Sequence, residues 1–186
     1  MEDRNLQLND EETTLDAETG FVIRPATRAD MPQIAEFVRS SADWYREIID
    51  EADMAEHDVD EEWQARNFVR RDFYVGCADG EDVGTISVQY FGGWAYLGYI
   101  YLDVSQVGKG YGHRLMEFAE QCARKEGADG LCLIAHPEAK WAKKAYLKYG
   151  FEITRRDREH VLAWNDGALQ PYYEEGFELY QLPFSA

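Results

Sequence analysis

The spacing of apolar positions changes period several times along the chain, and each change predicts an element. Residues 21–24 alternate as a short strand that Pro25 ends. Ile34, Phe37, Val38, Ala42 and Tyr45 then recur at helical spacing. That helix is capped either by Asp30, with Pro32 in its first turn, or by Thr27 with Asp30 closing a capping box. Residues 46–62 are very acidic and carry no strand pattern, and 61–71 read as a second helix that buries Trp63, Phe68 and Val69. Three strand-like runs follow, 73–78, 82–91 and 94–102. The turns Asp79-Gly80 and Gly92-Gly93 separate them, which predicts an antiparallel meander. A helix is expected over 111–125, and 131–135 is an unbroken apolar strand of the kind buried on both faces. Pro137 is placed to open another helix and Gly150 to close it. Strands at 151–154 and 177–182 complete the pattern, and no internal repeat is visible. The order predicts an α/β fold: a mixed, largely antiparallel sheet flanked by helices on both faces. Residues 1–19 read as a flexible acidic tail and 20–186 as one domain.

Composition narrows the partners. Asp and Glu number 36 against 19 Lys and Arg, for a net charge of −17. Such a surface repels nucleic acid and anionic lipid. The lysines, Lys109, Lys125, Lys140, Lys143, Lys144 and Lys148, all fall in the second half. We read the acid excess as adaptation to high salt, against the alternative of an ordinary acidic protein. Cys77, Cys122 and Cys132 show no metal-ligand spacing, nor do His57, His113, His136 and His160. Free thiols, an amino-terminal segment without a signal pattern and the lack of a span-length apolar run make the cytoplasm the expected compartment.

The chemistry concentrates where the run 96–102 empties into Gly108, Lys109, Gly110, Tyr111 and Gly112 and then a helix. The first N–H groups of a helix lack partners, and the helix dipole favours negative charge there. Glycines let the backbone approach a bulky anion because no Cβ intervenes. The phosphate loop of nucleotide triphosphatases fails as a match, since Lys109 lies between glycines and no Ser or Thr follows it. The dinucleotide fingerprint fails as well, because the spacing is Gly-x-Gly-x-Gly and several strands precede it. Alone, the cluster is also compatible with a turn that binds nothing.

A second segment, 142–151, reads Ala-Lys-Lys-Ala-Tyr-Leu-Lys-Tyr-Gly-Phe. Together with 107–112 it resembles the GNAT family of N-acetyltransferases. That family carries Gln/Arg-x-x-Gly-x-Gly/Ala after its fourth strand, then Asn-x-x-Ala-x-x-x-Tyr-x-x-x-Gly-Phe. Val107 stands where the family has Gln or Arg, and Ala139 where it often has Asn. The resemblance spans about 21–183 and implies an N-acetyltransferase domain over 20–186, with the sheet splayed at an acyl-CoA site. It implies acetyl-CoA as co-substrate and an amine acceptor, small molecule or protein amino group, attacking directly. It places the pantetheine arm on the backbone of Ile100, Leu102 and Val104. The pyrophosphate falls on Val107, Gly108, Lys109, Gly110, Tyr111 and Gly112.

Tyr146 falls on the family's general acid, a phenol that stays protonated at neutral pH. Read from the residues alone, Tyr146 belongs equally to a core stripe with Ala142, Ala145 and Tyr149. No base is evident. Asp103 is the nearest carboxylate, acids from 47–62 are alternatives, and His136 follows the buried strand directly. Trp44 and Tyr45, set among carboxylates, either belong to a solvated acidic surface or suit a cationic amine. Trp164, Tyr172 and Tyr173 either wall the other side of the pocket or pack a homodimer contact. A non-catalytic module that binds acyl-CoA and an unrelated phosphate binder are the competing readings.

Overall fold

The computed structural model describes residues 14–16, 20–48, 54 and 58–185. Its elements are β1 (Thr14–Asp16), β2 (Phe21–Pro25), α1 (Met31–Tyr45), α2 (Glu61–Arg70), β3 (Asp72–Ala78), β4 (Glu81–Phe91) and β5 (Trp94–Leu102). Then come α3 (Tyr111–Lys125), β6 (Gly130–Ala135), α4 (Lys140–Tyr149), β7 (Glu152–Arg155), α5 (Arg158–Ala163) and β8 (Glu178–Pro183). The strands form one sheet in the order β1-β2-β3-β4-β5-β6-β8-β7. All its pairs are antiparallel except β5 with β6. The expected α/β class, with a mixed and largely antiparallel sheet, is what the chain adopts.

Most expected elements lie within a residue or two of their places; Pro137 does not open α4, which starts at Lys140 after N-cap Ala139, with Pro137 in the preceding turn. Residues 14–16, within the expected tail, pair with β2 from Thr14↔Ile23 to Asp16↔Phe21. The expected acidic candidates at 49–53 and 55–57, and the rest of the expected tail (1–13 and 17–19), lie outside the described residues. On α2 the expected burial of Val69 is wrong: it is 71% exposed. The inward row is Trp63 and Asn67 instead, one helical step of four apart, and Phe68 packs at its edge. Thr27 and Asp30 do form the capping box, ahead of a short 3-10 turn that leads into α1. The helix α5 and the 3-10 turns at Trp164–Gly167 and Gln170–Tyr172 were not expected.

The apolar residues gather in three layers. Leu115, Met116, Phe118 and Ala119 of α3 pack on Ile86, Val88, Leu97, Leu131 and Leu133 of the sheet. Ile34, Ala35 and Val38 of α1 meet Trp63, Phe73 and Val75 on the other face. Val161, Trp164 and Leu169 close over Tyr96, Cys132 and Leu179.

Two irregularities of the sheet position the site. The parallel pairing of β5 and β6 holds from Trp94↔Gly130 to Tyr96↔Cys132 and then stops. Further along, β5 keeps its partner β4 on one side, while its β6-facing edge is left without a strand. The second irregularity is a bulge. Ser87 pairs with Gly98 and Thr85 with Tyr101, so Tyr99 and Ile100 together oppose Ile86. Tyr99 takes a left-handed φ of 47°, which turns the backbone at the mouth of the splay.

Candidate active site

The glycine turn takes its shape from local geometry. Asp103 caps a short 3-10 turn, Val104–Gln106, by accepting from the Ser105 N–H at 2.9 Å. The chain then bends through Gly108 and Gly110, both at φ 87°, and enters α3. Gly110 is the N-cap of α3 and has no side chain to satisfy the first N–H groups, so they face outward. A Cβ at Gly108 or Gly110 would meet nothing within 4 Å, so the space over the turn is open. Lys109 lies beside it, exposed, with Nζ donating to Gln106 Oε1 at 2.8 Å. Val104 and Val107 are 42% and 45% exposed, on the turn and not on the strand, because β5 ends at Leu102.

Where β5 and β6 part, a cavity of about 240 Å³ opens. Leu97, Gly98, Tyr99, Ile100 and Tyr101 line one wall, and Leu133, Ile134, Ala135 and His136 the other. Tyr146 of α4 and Tyr45 of α1 reach it, as do Tyr172, Tyr173 and Glu174 from the long connection before β8. Ile100 and Tyr146, expected at the cofactor, thus line the cavity together with Tyr45, His136, Tyr172 and Tyr173, expected around the pocket. Leu102, Val107, Gly108, Lys109, Gly110, Tyr111 and Gly112 continue from it as the end of β5, the turn and the start of α3.

Tyr146 packs against the core and also borders the cavity. Its ring lies 6.2 Å from Phe151 and 5.6 Å from Tyr180, centroid to centroid. Burial pushes its phenol well above the ordinary tyrosine range, which holds the proton on oxygen at neutral pH. Burial likewise raises Tyr45, to about 12, and pushes Tyr101 well above the ordinary tyrosine range.

The base candidates separate clearly. Asp103 is held below the ordinary carboxylate range by hydrogen bonds from the Ser105 hydroxyl and N–H, at an exposed position outside the cavity. A carboxylate so stabilised in its charged form is a poor proton acceptor. His136 lines the cavity, with Nδ1 accepting from the Glu138 N–H at 3.2 Å and its ring against Phe177. Trp164 is not a wall of the pocket. It is buried in the layer under α5, edge-on to Trp94. Trp44 packs edge-on against Trp141 outside the cavity.

Two lining residues were not legible as functional, Arg71 and Glu174. Arg71 follows the last turn of α2, where a cation reads as a response to the helix dipole. The signal that could have found it is its place four beyond Asn67 and eight beyond Trp63, on the inward row. Among the described residues no cluster of His, Cys, Asp and Glu could hold a metal ion, and no helix is long and apolar enough to cross a membrane.

Residues 69–153 match the model of an acetyltransferase (GNAT) domain. That stretch contains the bulge, the splay, the glycine turn and Tyr146. Over that stretch the chain is similar to an acetyltransferase domain of the GNAT type, and the mixed α/β fold around it agrees with the match. Similar solved structures carry the same fold. The PaiA N-acetyltransferase from Thermoplasma acidophilum, in complex with coenzyme A, is 20% identical at a TM-score of 0.71, over 88% of this chain and 99% of that one. An acetyltransferase of the GNAT family from Staphylococcus aureus Mu50 is 16% identical at 0.68, over 89% and 99%. N-acetylglutamate synthase from Neisseria gonorrhoeae, complexed with coenzyme A and N-acetyl-glutamate, is 17% identical at 0.66, over 89% of this chain and 35% of that one. No curated protein matches the chain.

Proposed function

We propose that the chain transfers an acetyl group from acetyl-CoA to a primary amine by direct attack. The observation that carries this reading is the continuity of three features: a cavity in a splayed sheet, an unpaired strand edge, and an uncapped glycine-rich helix start. A thin extended molecule with a diphosphate at one end has a surface for each of its parts.

In this reading the N–H groups at the turn and the start of α3, with Lys109 beside them, hold the diphosphate. The free edge of β5 beyond Tyr96 takes the amides of the arm as an added strand would. The bound thioester supplies an activated acyl carbon. The bulge at Ile100 lies on the cavity wall, where the carbonyl oxygen of the thioester would gain charge. The attacking amine must lose a proton, and the cavity offers Glu174 and His136 to receive it. As the new N–C bond forms and the C–S bond breaks, Tyr146 gives its phenolic proton to the departing thiolate. Cys77, Cys122 and Cys132 lie outside the cavity lining, and Cys132 is fully buried with its thiol pushed up by desolvation. That favours direct attack over an acyl-cysteine intermediate.

The test is release of free thiol from acetyl-CoA against a panel of primary amines. Turnover with at least one amine is expected. Tight CoA binding without turnover on any amine would leave a non-catalytic binding module, and no CoA binding would remove the assignment.

A further inference from the structure

We infer that the acceptor amine also carries a carboxylate, and that Arg71 receives it. The inference rests on the acetyltransferase reading and names the class of its acceptor.

Arg71 is 7% exposed and lines the cavity. Its Nε donates to Asn67 Oδ1 at 3.1 Å, which fixes the stem of the guanidinium. Its Nη1 is buried without a hydrogen-bond partner. No carboxylate among the described residues pairs with it, although the chain has 36 acids. The guanidinium lies instead among aromatic rings, 4.6 Å from the centroid of Tyr99, 4.8 Å from Tyr172 and 5.8 Å from Tyr96. The sheet is shaped to admit it: a Cβ on Gly98 would stand 2.5 Å from Nη1. Gln89 supports the same corner, donating to the Tyr172 hydroxyl at 3.1 Å.

Arginine does not lose its proton in proteins, so this is a permanent buried charge. A buried cation without an anion is costly, and ring faces offset only part of that cost. Arginine's planar donors match a carboxylate with two parallel hydrogen bonds. The charge sits on the wall formed by the bulge, beside the expected path of the thioester. A small molecule bearing both an amine and a carboxylate therefore fits better than an amine without an anion. This differs from the pocket for a purely cationic amine that Trp44 and Tyr45, set among carboxylates, suggested.

The test compares the proteinogenic amino acids with the amines obtained by removing the carboxylate from each, in acetyl-CoA turnover by the full chain. A charge-assisted hydrogen bond contributes about 1.5–3 kcal/mol, so kcat/KM for the preferred acid should exceed that for its amine about 10- to 100-fold. Arg71→Met should bring that ratio toward one, and Arg71→Lys should restore part of it. The inference is overturned if the parent protein uses the decarboxylated amines as well as the acids, or acetylates only other amines. It is overturned too if folded Arg71→Met keeps the preference. Either result leaves the acetyltransferase reading standing, whereas loss of CoA binding by the parent protein would remove both.

Discussion

The glycine turn gives a test in which stability and binding should move in opposite orders. Gly110 and Gly127 flank the same helix, α3, at its two ends. Both are left-handed, at φ 87° and 76°, and a Cβ on either would meet nothing within 4 Å. Replacing either by Asp therefore imposes the same kind of cost, left-handed strain of about 1–2 kcal/mol without a clash. The helix dipole then separates them. A carboxylate at the N-terminal end gains about 0.3–1 kcal/mol and one at the C-terminal end loses a similar amount. With about 2–4 °C per kcal/mol for a chain of this size, Gly110→Asp should melt a few degrees below the parent and Gly127→Asp lower still. Binding should rank the other way. A carboxylate about 5 Å from one diphosphate charge costs about 0.8 kcal/mol at the dielectric of water and about 3.3 kcal/mol at an effective value near 20. The affinity of Gly110→Asp for CoA should fall about 10- to 100-fold, while Gly127→Asp keeps the parent value. Calorimetric titration with CoA, alongside thermal melts, reads both orders. Parent-like CoA affinity in folded Gly110→Asp would refute the placement of the diphosphate.

Tyr146→Phe removes only a hydroxyl at the cavity wall, so CoA affinity should hold while turnover falls about 10- to 100-fold, at or below the lower end for a positioned acid because a thiolate leaves readily; a rate within about twofold of the parent returns Tyr146 to the core stripe. The net charge of −17 predicts a melting temperature that rises from dilute buffer into molar KCl, as the screening length falls from about 10 Å at 0.1 M to about 3 Å at 1 M; a flat melt would sink the high-salt reading. Asp30 accepts from both terminal nitrogens of Arg24 at 2.9 Å, and that hydrogen bonding lowers its carboxyl from 3.8 to about 2. A depressed folded value stabilises above the unfolded one, so this contribution is present above 3.8 and is lost as pH falls toward 2. Asp30→Asn should cost roughly 1–2 kcal/mol at pH 7 after allowing for solvent screening, and parent and variant should converge in urea melts as pH falls through that window.

The amino-acid sequence by itself determined those parts whose cause is local. Alternation and paired glycines set out the β3-β4-β5 meander, because a period of two and a tight turn need only neighbouring residues. The glycine turn and α3 were legible to the residue, since uncapped N–H groups and left-handed glycines are properties of a few consecutive positions. Tyr146 was legible through its spacing to Gly150 and Phe151, whose N–H groups both bond its carbonyl oxygen, at 3.2 and 3.1 Å. What only the tertiary structure decided depends on contacts between distant segments. The splay exists because β5 and β6, separated by the whole of α3, run together for only three register positions. The bulge arises from counting β5 against β4, which neither strand's own pattern reveals. Arg71 turns inward over Gly98, where a Cβ would stand 2.5 Å from its Nη1, a fit between segments that neither pattern reveals. Glu174 and Tyr172 reach the cavity through an irregular connection with no period to read. Local energetics write the glycine turn and the start of α3 into consecutive residues, whereas the cavity is assembled from segments that share only a place in the folded chain.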